Sequence, residues 1–261
     1  MPTWENAMSN NVHRWRDRGN LWDYPLTDRL TPTLQGQQVF VKEHVCMLTS
    51  PDELFAYGYG EDYDGKTLLK LGRDGESKHT NPTFLPDNFL LAMQPVFQIR
   101  HPVLMFPSLV RAQSKVLPNS RPSVPRLVVT LTLRGSRALF DWYLNHPAAL
   151  APKVIDADDI MKDREAVRQL CREIDFDPDA VQYEWETREE KDPAKAAFLS
   201  TIAASTGIRP GLEARCVDLE AEKVKWVEEF GEQDGTDLAN AVEAALPDYE
   251  YLLSHRVKSS Q

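Results

Sequence analysis

An α/β fold with a mainly parallel sheet flanked by helices, and a helix-rich C-terminal part, is predicted by three features of this 261-residue chain. Short β-rich runs lie at 38–42, 96–99 and 154–157. Segments of helical apolar period follow the second and third runs, and strands alternating with helices build parallel sheets because each crossover needs a helix's length of chain. From residue 217 onward the pattern is helical on an acidic background.

Each element follows from local chemistry. Trp4, Met8, Val12 and Trp15 repeat at helical spacing and Gly19 stands where a helix stop belongs, so an N-terminal amphipathic helix is expected. An aromatic turn through Trp22, Tyr24 and Pro25 follows. The run QVFVK at 38–42 reads as a buried strand. Residues 57–82, crowded with Gly, Asp, Tyr and Asn, read as a long loop. After 89–93 comes a second strand at 96–99. Pro102 is placed to open a helix, and Leu104, Leu109 and Ala112 continue its apolar face in spite of Pro107. Three prolines, Pro118, Pro122 and Pro125, mark 114–126 as a linker. Leu127, Val128, Leu131, Ala138, Leu139 and Trp142 fit a helical period, with a strand over 128–133 as the alternative. A third strand at 154–157 precedes a helix that Asp163 caps, whose inner face is Ala166, Val167, Leu170, Cys171 and Ile174. Helices over 217–230 and 236–246 close the chain. There is no internal repeat, and one domain over 1–261 is expected.

Composition excludes several function classes. A formal charge of −10 opposes nucleic-acid binding, which needs a basic stripe against phosphate. No apolar run reaches the ~18–20 residues of a membrane span; Pro86, Asp87, Asn88, Gln94 and Pro95 break up the nearest one. Residues 1–10 lack the basic-then-apolar pattern of a secretory signal. Cys46, Cys171 and Cys216 are odd in number and widely spaced, so neither a disulfide framework nor a zinc site is expected. The reading is a reduced, cytoplasmic, enzyme-sized protein.

Two motifs imitate known chemistry. Gly60-Glu-Asp-Tyr-Asp-Gly65-Lys66-Thr67 satisfies the P-loop spacing, but Glu61, Asp62 and Asp64 occupy positions that must wrap a phosphate, so a solvated loop is preferred. Asp158, Asp159 and Asp163 resemble an aspartate-rich Mg²⁺ motif. They bracket a helix start, however, where Asp is favoured by capping and by the macrodipole.

One stretch carries a family resemblance. Phe97-Gln-Ile-Arg100-His101-Pro102, with Ser108 eight residues after the arginine, is similar to the 3′-phosphate-binding segment of sulfotransferases. An arginine at a strand end and a serine in the next helix can converge on one phosphate. Val41-Lys42-Glu43-His44 resembles the family's Lys-x-His strand end. The resemblance implies that His44 is the base for an acceptor hydroxyl and that Lys42 steadies the leaving phosphate. Lys153-Val-Ile-Asp-Ala-Asp-Asp159, with the helix after it, resembles the later strand-to-helix unit of fungal and bacterial members. The resemblance covers about residues 37–185, flanked by a helical and aromatic segment at 1–36 and a helical part at 186–261. It implies a reduced sulfotransferase-like fold. The family's first strand and Gly-rich 5′-phosphosulfate loop should precede residue 37, and residues 1–36 hold no such loop. Its later Arg-Lys-Gly element is also not found, Arg209-Pro-Gly211 being too faint a match.

Charge-assisted hydrogen bonds contribute about 1.5–3 kcal/mol each, so losing three would weaken donor binding by roughly four to six decades. The expectation is therefore an enzyme that uses the cleft without a cofactor, with an apolar small molecule as substrate. Cyclisation, isomerisation or a pericyclic closure of Diels–Alder type in natural-product biosynthesis would fit. His44, Lys42 and Arg100 are the expected catalytic groups, and Trp22, Tyr24, Ser108, Trp142 and Tyr143 the expected substrate-binding ones. No metal is expected, and either residues 1–36 or a second copy of the chain, in a homodimer, should cover the exposed sheet. A PAPS-dependent small-molecule sulfotransferase and a non-catalytic binding protein are the alternatives.

Overall fold

Strands β1 (Val96–Ile99) and β2 (Lys153–Asp156) pair in parallel, with Phe97 opposite Val154 and Ile99 opposite Asp156. They lie in a computed structural model that describes residues 41–59, 78–117, 119–214 and 217–259. Arg256 extends the sheet on the far side of β2 through a parallel bridge to Val154, and the Val257 N–H donates to the Val154 carbonyl at 2.8 Å. The chain divides into two compact units, residues 1–44 and residues 45–261. The expected N-terminal helix, the aromatic turn and most of the 38–42 strand lie outside the described residues. Val41 and Lys42 are in no strand.

The helices of the second unit, in chain order, are α1 (Val45–Leu48), α2 (Pro51–Tyr59), α3 (Asp87–Leu91), α4 (Pro102–Val116), α5 (Pro125–Val128), α6 (Arg134–Asn145), α7 (Ala157–Lys162), α8 (Arg164–Glu173), α9 (Pro193–Ala203), α10 (Leu219–Phe230) and α11 (Glu232–Ser254). A short 3₁₀ turn, Pro178–Ala180, follows α8. The α/β class, the parallel pairing and the helix-rich C-terminal part agree with the sequence reading. Several boundaries differ. Helix α2 runs through Tyr59, into the expected loop. Helix α4 extends to Val116, into the expected linker, with Pro102 at its first position and Pro107 buried within it. The segment 129–133 is neither strand nor helix; it turns between α5 and α6 with Val129, Leu131 and Leu133 buried.

Period-2 alternation gives the sheet two apolar faces. Phe97 and Ile99 point one way, and the Phe97 ring meets Phe140 of α6 edge-on at 5.5 Å. Ile155 points the other way and packs with Leu170 of α8 and Val257. A second core lies around α4, where Val103, Phe106 and Val110 join Leu127 and Leu131 beneath the α10–α11 hairpin. That hairpin contributes Trp226, Leu238 and Val242, all inaccessible to solvent.

The capped helix is as expected: Asp163 accepts from the Glu165 and Ala166 N–H groups, both at 3.1 Å. An Asp→Ala change at such a cap typically costs about 1 kcal/mol. Asp163→Ala should therefore lower the urea midpoint with an unchanged slope, whereas Asp163→Asn, which keeps an accepting oxygen, should lose much less. Equal losses in the two variants would contradict the capping role.

Candidate functional site

Parallel strands deliver their carboxyl ends to one edge, where ligands of open α/β sheets gather. At the end of β1 the chain runs Arg100, His101, Pro102 into α4. His101 caps this helix, its Nδ1 accepting the Val103 N–H at 3.1 Å, and its ring meets Tyr249 of α11 edge-on at 4.7 Å. Desolvation lowers the His101 pKa, opposed by the Asp158 and Glu250 carboxylates, so the ring is neutral and accepts from the cap as observed. Arg100 donates from Nη2 to the Leu212 carbonyl at 3.3 Å. Its Nε is buried with no hydrogen-bond partner among the described residues. Ser108 stands exposed nearly two turns into α4.

At the end of β2, Asp156 caps α7 by accepting the Asp158 N–H at 2.8 Å, and its other oxygen takes the Tyr249 hydroxyl at 3.0 Å. Burial raises the Asp156 pKa, while these two hydrogen bonds act in the opposite direction. Both Asp158 oxygens accept the Ala214 N–H at 3.0 Å, and Asp159 pairs with Arg256 at 2.9 Å. Of the three aspartates singled out from sequence, Asp163 caps a helix as preferred, while Asp158 and Asp159 stand in the first turn of α7 and make cross-links that the sequence reading did not anticipate. Among the described residues no group of three or more His, Cys, Asp or Glu side chains could hold a metal ion.

The segment 206–214 links this edge to a cleft of about 1070 Å³. Leu212 takes the Arg100 bond and Ala214 the Asp158 bond. Pro210 and Glu213 wall the cleft, opposite α7 and the extended stretch 182–186. Within that stretch Tyr183 and Trp185 are half-buried while Gln182, Glu184 and Glu186 are exposed, the alternation of an extended backbone. One antiparallel bridge, Glu184 to Gly207, holds it. Arg209-Pro-Gly211 belongs to the same segment, immediately before Leu212.

The remaining residues singled out from sequence are placed as follows. Lys42 Nζ lies 3.4 Å from His44 Nε2 on the surface of the first unit. Partial desolvation, then the Lys42 ammonium, lower the His44 pKa, with Glu43 pulling the other way. Trp142 and Tyr143 are neighbours on α6 with ring centres 5.0 Å apart. The Trp142 indole donates to Thr80 Oγ1 at 2.9 Å, and Trp142 lines a shallow groove with His146. Tyr143 is buried, and its hydroxyl donates to the Leu90 carbonyl at 3.0 Å. Trp22, Tyr24 and the P-loop-like stretch 60–67 lie outside the described residues. His101, Tyr249, Arg164, Tyr183 and Trp185 were not anticipated as site residues. Only the His-Pro step after β1 and the Tyr-x-Trp alternation could have drawn attention to three of them.

The chain is 32% identical over 242 residues to "Sulfotransferase ppzF" of Metarhizium majus (strain ARSEF 297), a match covering 86% of this chain and 71% of that protein. It is also 32% identical over 244 residues to "Sulfotransferase ppzF" of Metarhizium rileyi (strain RCEF 4871), covering 87% of this chain and 72% of the relative. No family model matches the chain. No solved structure matches it either. Among the described residues no helix is long and apolar enough to cross a membrane.

Proposed function

The chain belongs to the sulfotransferase family, and from that premise we propose that it transfers a sulfuryl group from PAPS to the hydroxyl of a small organic acceptor. The observation that carries the reading is Arg100. It stands at the carboxyl end of β1 with a buried Nε that has no partner among the described residues, ahead of a helix bearing the exposed Ser108. Leaving a buried guanidinium N–H unpaired costs free energy that an anion would recover. Arg209, three residues before the carbonyl that Arg100 holds, offers a second cation on the adjoining segment. Arg100 and Ser108 would hold the 3′-phosphate of the donor, and the proposal assigns no residue to its 5′-phosphosulfate.

The donor supplies the sulfuryl group on an activated phosphate–sulfate bridge. His44 would accept the proton of the acceptor hydroxyl as that oxygen bonds to sulfur and the P–O–S bridge opens. Lys42 would neutralise the departing phosphate oxygen, and a preorganised cation at developing charge is an efficient stabiliser. A cofactor-free cyclase or pericyclase would need an enclosed apolar chamber to fold its substrate. The two clefts described above are open and carry charged side chains, and both relatives bear the sulfotransferase name, so transfer has the stronger support.

Calorimetric titration with adenosine 3′,5′-bisphosphate tests the donor site. Charge-assisted hydrogen bonds contribute about 1.5–3 kcal/mol each, so Arg100→Gln should weaken binding by about one to two decades. No binding to the wild type, or equal binding to the variant, would remove Arg100 from the donor site.

A further inference from the structure

We propose that the cleft between α7 and the 182–186 and 206–213 segments is a binding site for a planar aromatic small molecule that carries a carboxylate. Within the proposed function this molecule is the sulfuryl acceptor. The carboxylate would pair with Arg164 and the ring would lie against Trp185.

Arg164 stands apart because its neighbours are neutralised and it is not. On the same face Lys162 pairs with Glu213, Arg168 with Asp179 at 2.7 Å, and Arg172 with Glu165 at 2.7 Å. Arg164 makes no ion pair among the described residues. Its guanidinium lies over the Tyr183 ring, 4.5 Å from the centroid, where it is held but keeps its N–H donors. It is also the first residue of α8, where the helix dipole disfavours a cation. Nor is the helix end itself the site, since the Asp163 carboxylate already takes the first-turn N–H groups of Glu165 and Ala166. An exposed, stacked and unpaired guanidinium at a disfavoured position, in a chain of net charge −10, is the expected arrangement for an anionic ligand.

Two further observations set the ligand's shape. The hydroxyl of Tyr183, whose ring the guanidinium covers, is buried without a hydrogen-bond partner among the described residues, and a carboxylate is an acceptor of the kind it lacks. The Trp185 indole N–H is used internally, donating to the Ile202 carbonyl at 3.2 Å, which fixes the ring as an apolar wall. Ile160, Ile208 and Pro210 add aliphatic contact around it. A flat ring with an acidic substituent satisfies the free donors and the wall together; a neutral ring satisfies only the wall. Glu184 and Glu186 on the outer rim would repel a ligand that carries several negative charges.

The test is calorimetric titration of the full chain with 2-naphthoate and with neutral 2-naphthol. The wild type should bind the naphthoate about tenfold more tightly, the size of one charge-assisted contact. Arg164→Gln should erase that preference, and Trp185→Phe should weaken both ligands while the thermal unfolding profile stays cooperative. Arg100→Gln should leave naphthoate binding unchanged, which separates this site from the donor site. If the bisphosphate fails to bind while the naphthoate preference persists, the cleft assignment survives and the transfer reading does not. Equal affinity for the two naphthalenes, no binding of either, or a preference lost in Arg100→Gln and kept in Arg164→Gln would overturn the proposal.

Discussion

Gly235→Ala should destabilise the protein by about 3 kcal/mol or more, a change that overpacking reaches when the obstacle cannot move. A Cβ at Gly235 would lie 2.6 Å from both Cα and N of Val227 and 2.8 Å from the carbonyl carbon of Trp226. These are backbone atoms of α10, so no rotamer change relieves the clash, and α10 and α11 must separate. Separation opens the layer formed by Trp226, Leu238 and Val242, which also covers α4. The better helix propensity of alanine returns only about 1 kcal/mol. At roughly 2–4 °C per kcal/mol for a unit of this size, the melting temperature should fall by about 6–12 °C. Asn240→Ala, an exposed change on the same helix, serves as the control and should shift it by at most a degree or two. A Gly235→Ala melt indistinguishable from the control would mean that the hairpin is not packed as described.

His44→Ala should lower kcat by about two to three decades, the usual contribution of a positioned general base. The residue is exposed, so the unfolding profile should not change with it. The pH dependence is the sharper part. The imidazole must be neutral to accept a proton, and its pKa lies below the ordinary 6.5, through partial desolvation first and the Lys42 ammonium second. The acid limb of kcat/KM should therefore fall below pH 6.5, with the plateau reached by neutral pH. Lys42→Gln removes one of the two lowering influences and should move that limb to higher pH. A profile that is flat from about pH 5 to about pH 8, or one unmoved by Lys42→Gln, would take His44 out of the base role.

How much of this was legible in the sequence depended on whether the signal was local. Strands β1 and β2 are short apolar runs that stop at a His-Pro step and at an aspartate cap, both local. Helix α8 announced itself through Asp163 and the period of Ala166, Leu170 and Ile174. Helix α9 did not, because its Ala, Phe, Leu and Ile residues pass all round the helix and leave no polar stripe. Helices α1, α3 and α7 span about one turn and are too short to show a period. The 129–133 turn misleads for another reason: its alternate residues are buried, as in a strand, but no partner strand among the described residues meets them.

The site divided in the same way. Arg100 and Ser108 were found because their spacing belongs to one strand–helix unit. Arg164, Tyr183 and Trp185 were not, since a cleft that joins α7 and α8 to 182–186 and 206–213 is assembled by tertiary folding. The crowding at Gly235 was equally invisible, because it depends on where the α10 backbone lies.

Incubation of the full chain with PAPS and 3-hydroxy-2-naphthoate, with the products followed by mass spectrometry, tests sulfuryl transfer directly. Equal amounts of adenosine 3′,5′-bisphosphate and of a naphthoate heavier by one SO₃ group should form. Product should fall sharply in His44→Ala and Arg100→Gln. PAPS left intact by a folded wild-type chain that also fails to bind the bisphosphate would contradict sulfuryl transfer.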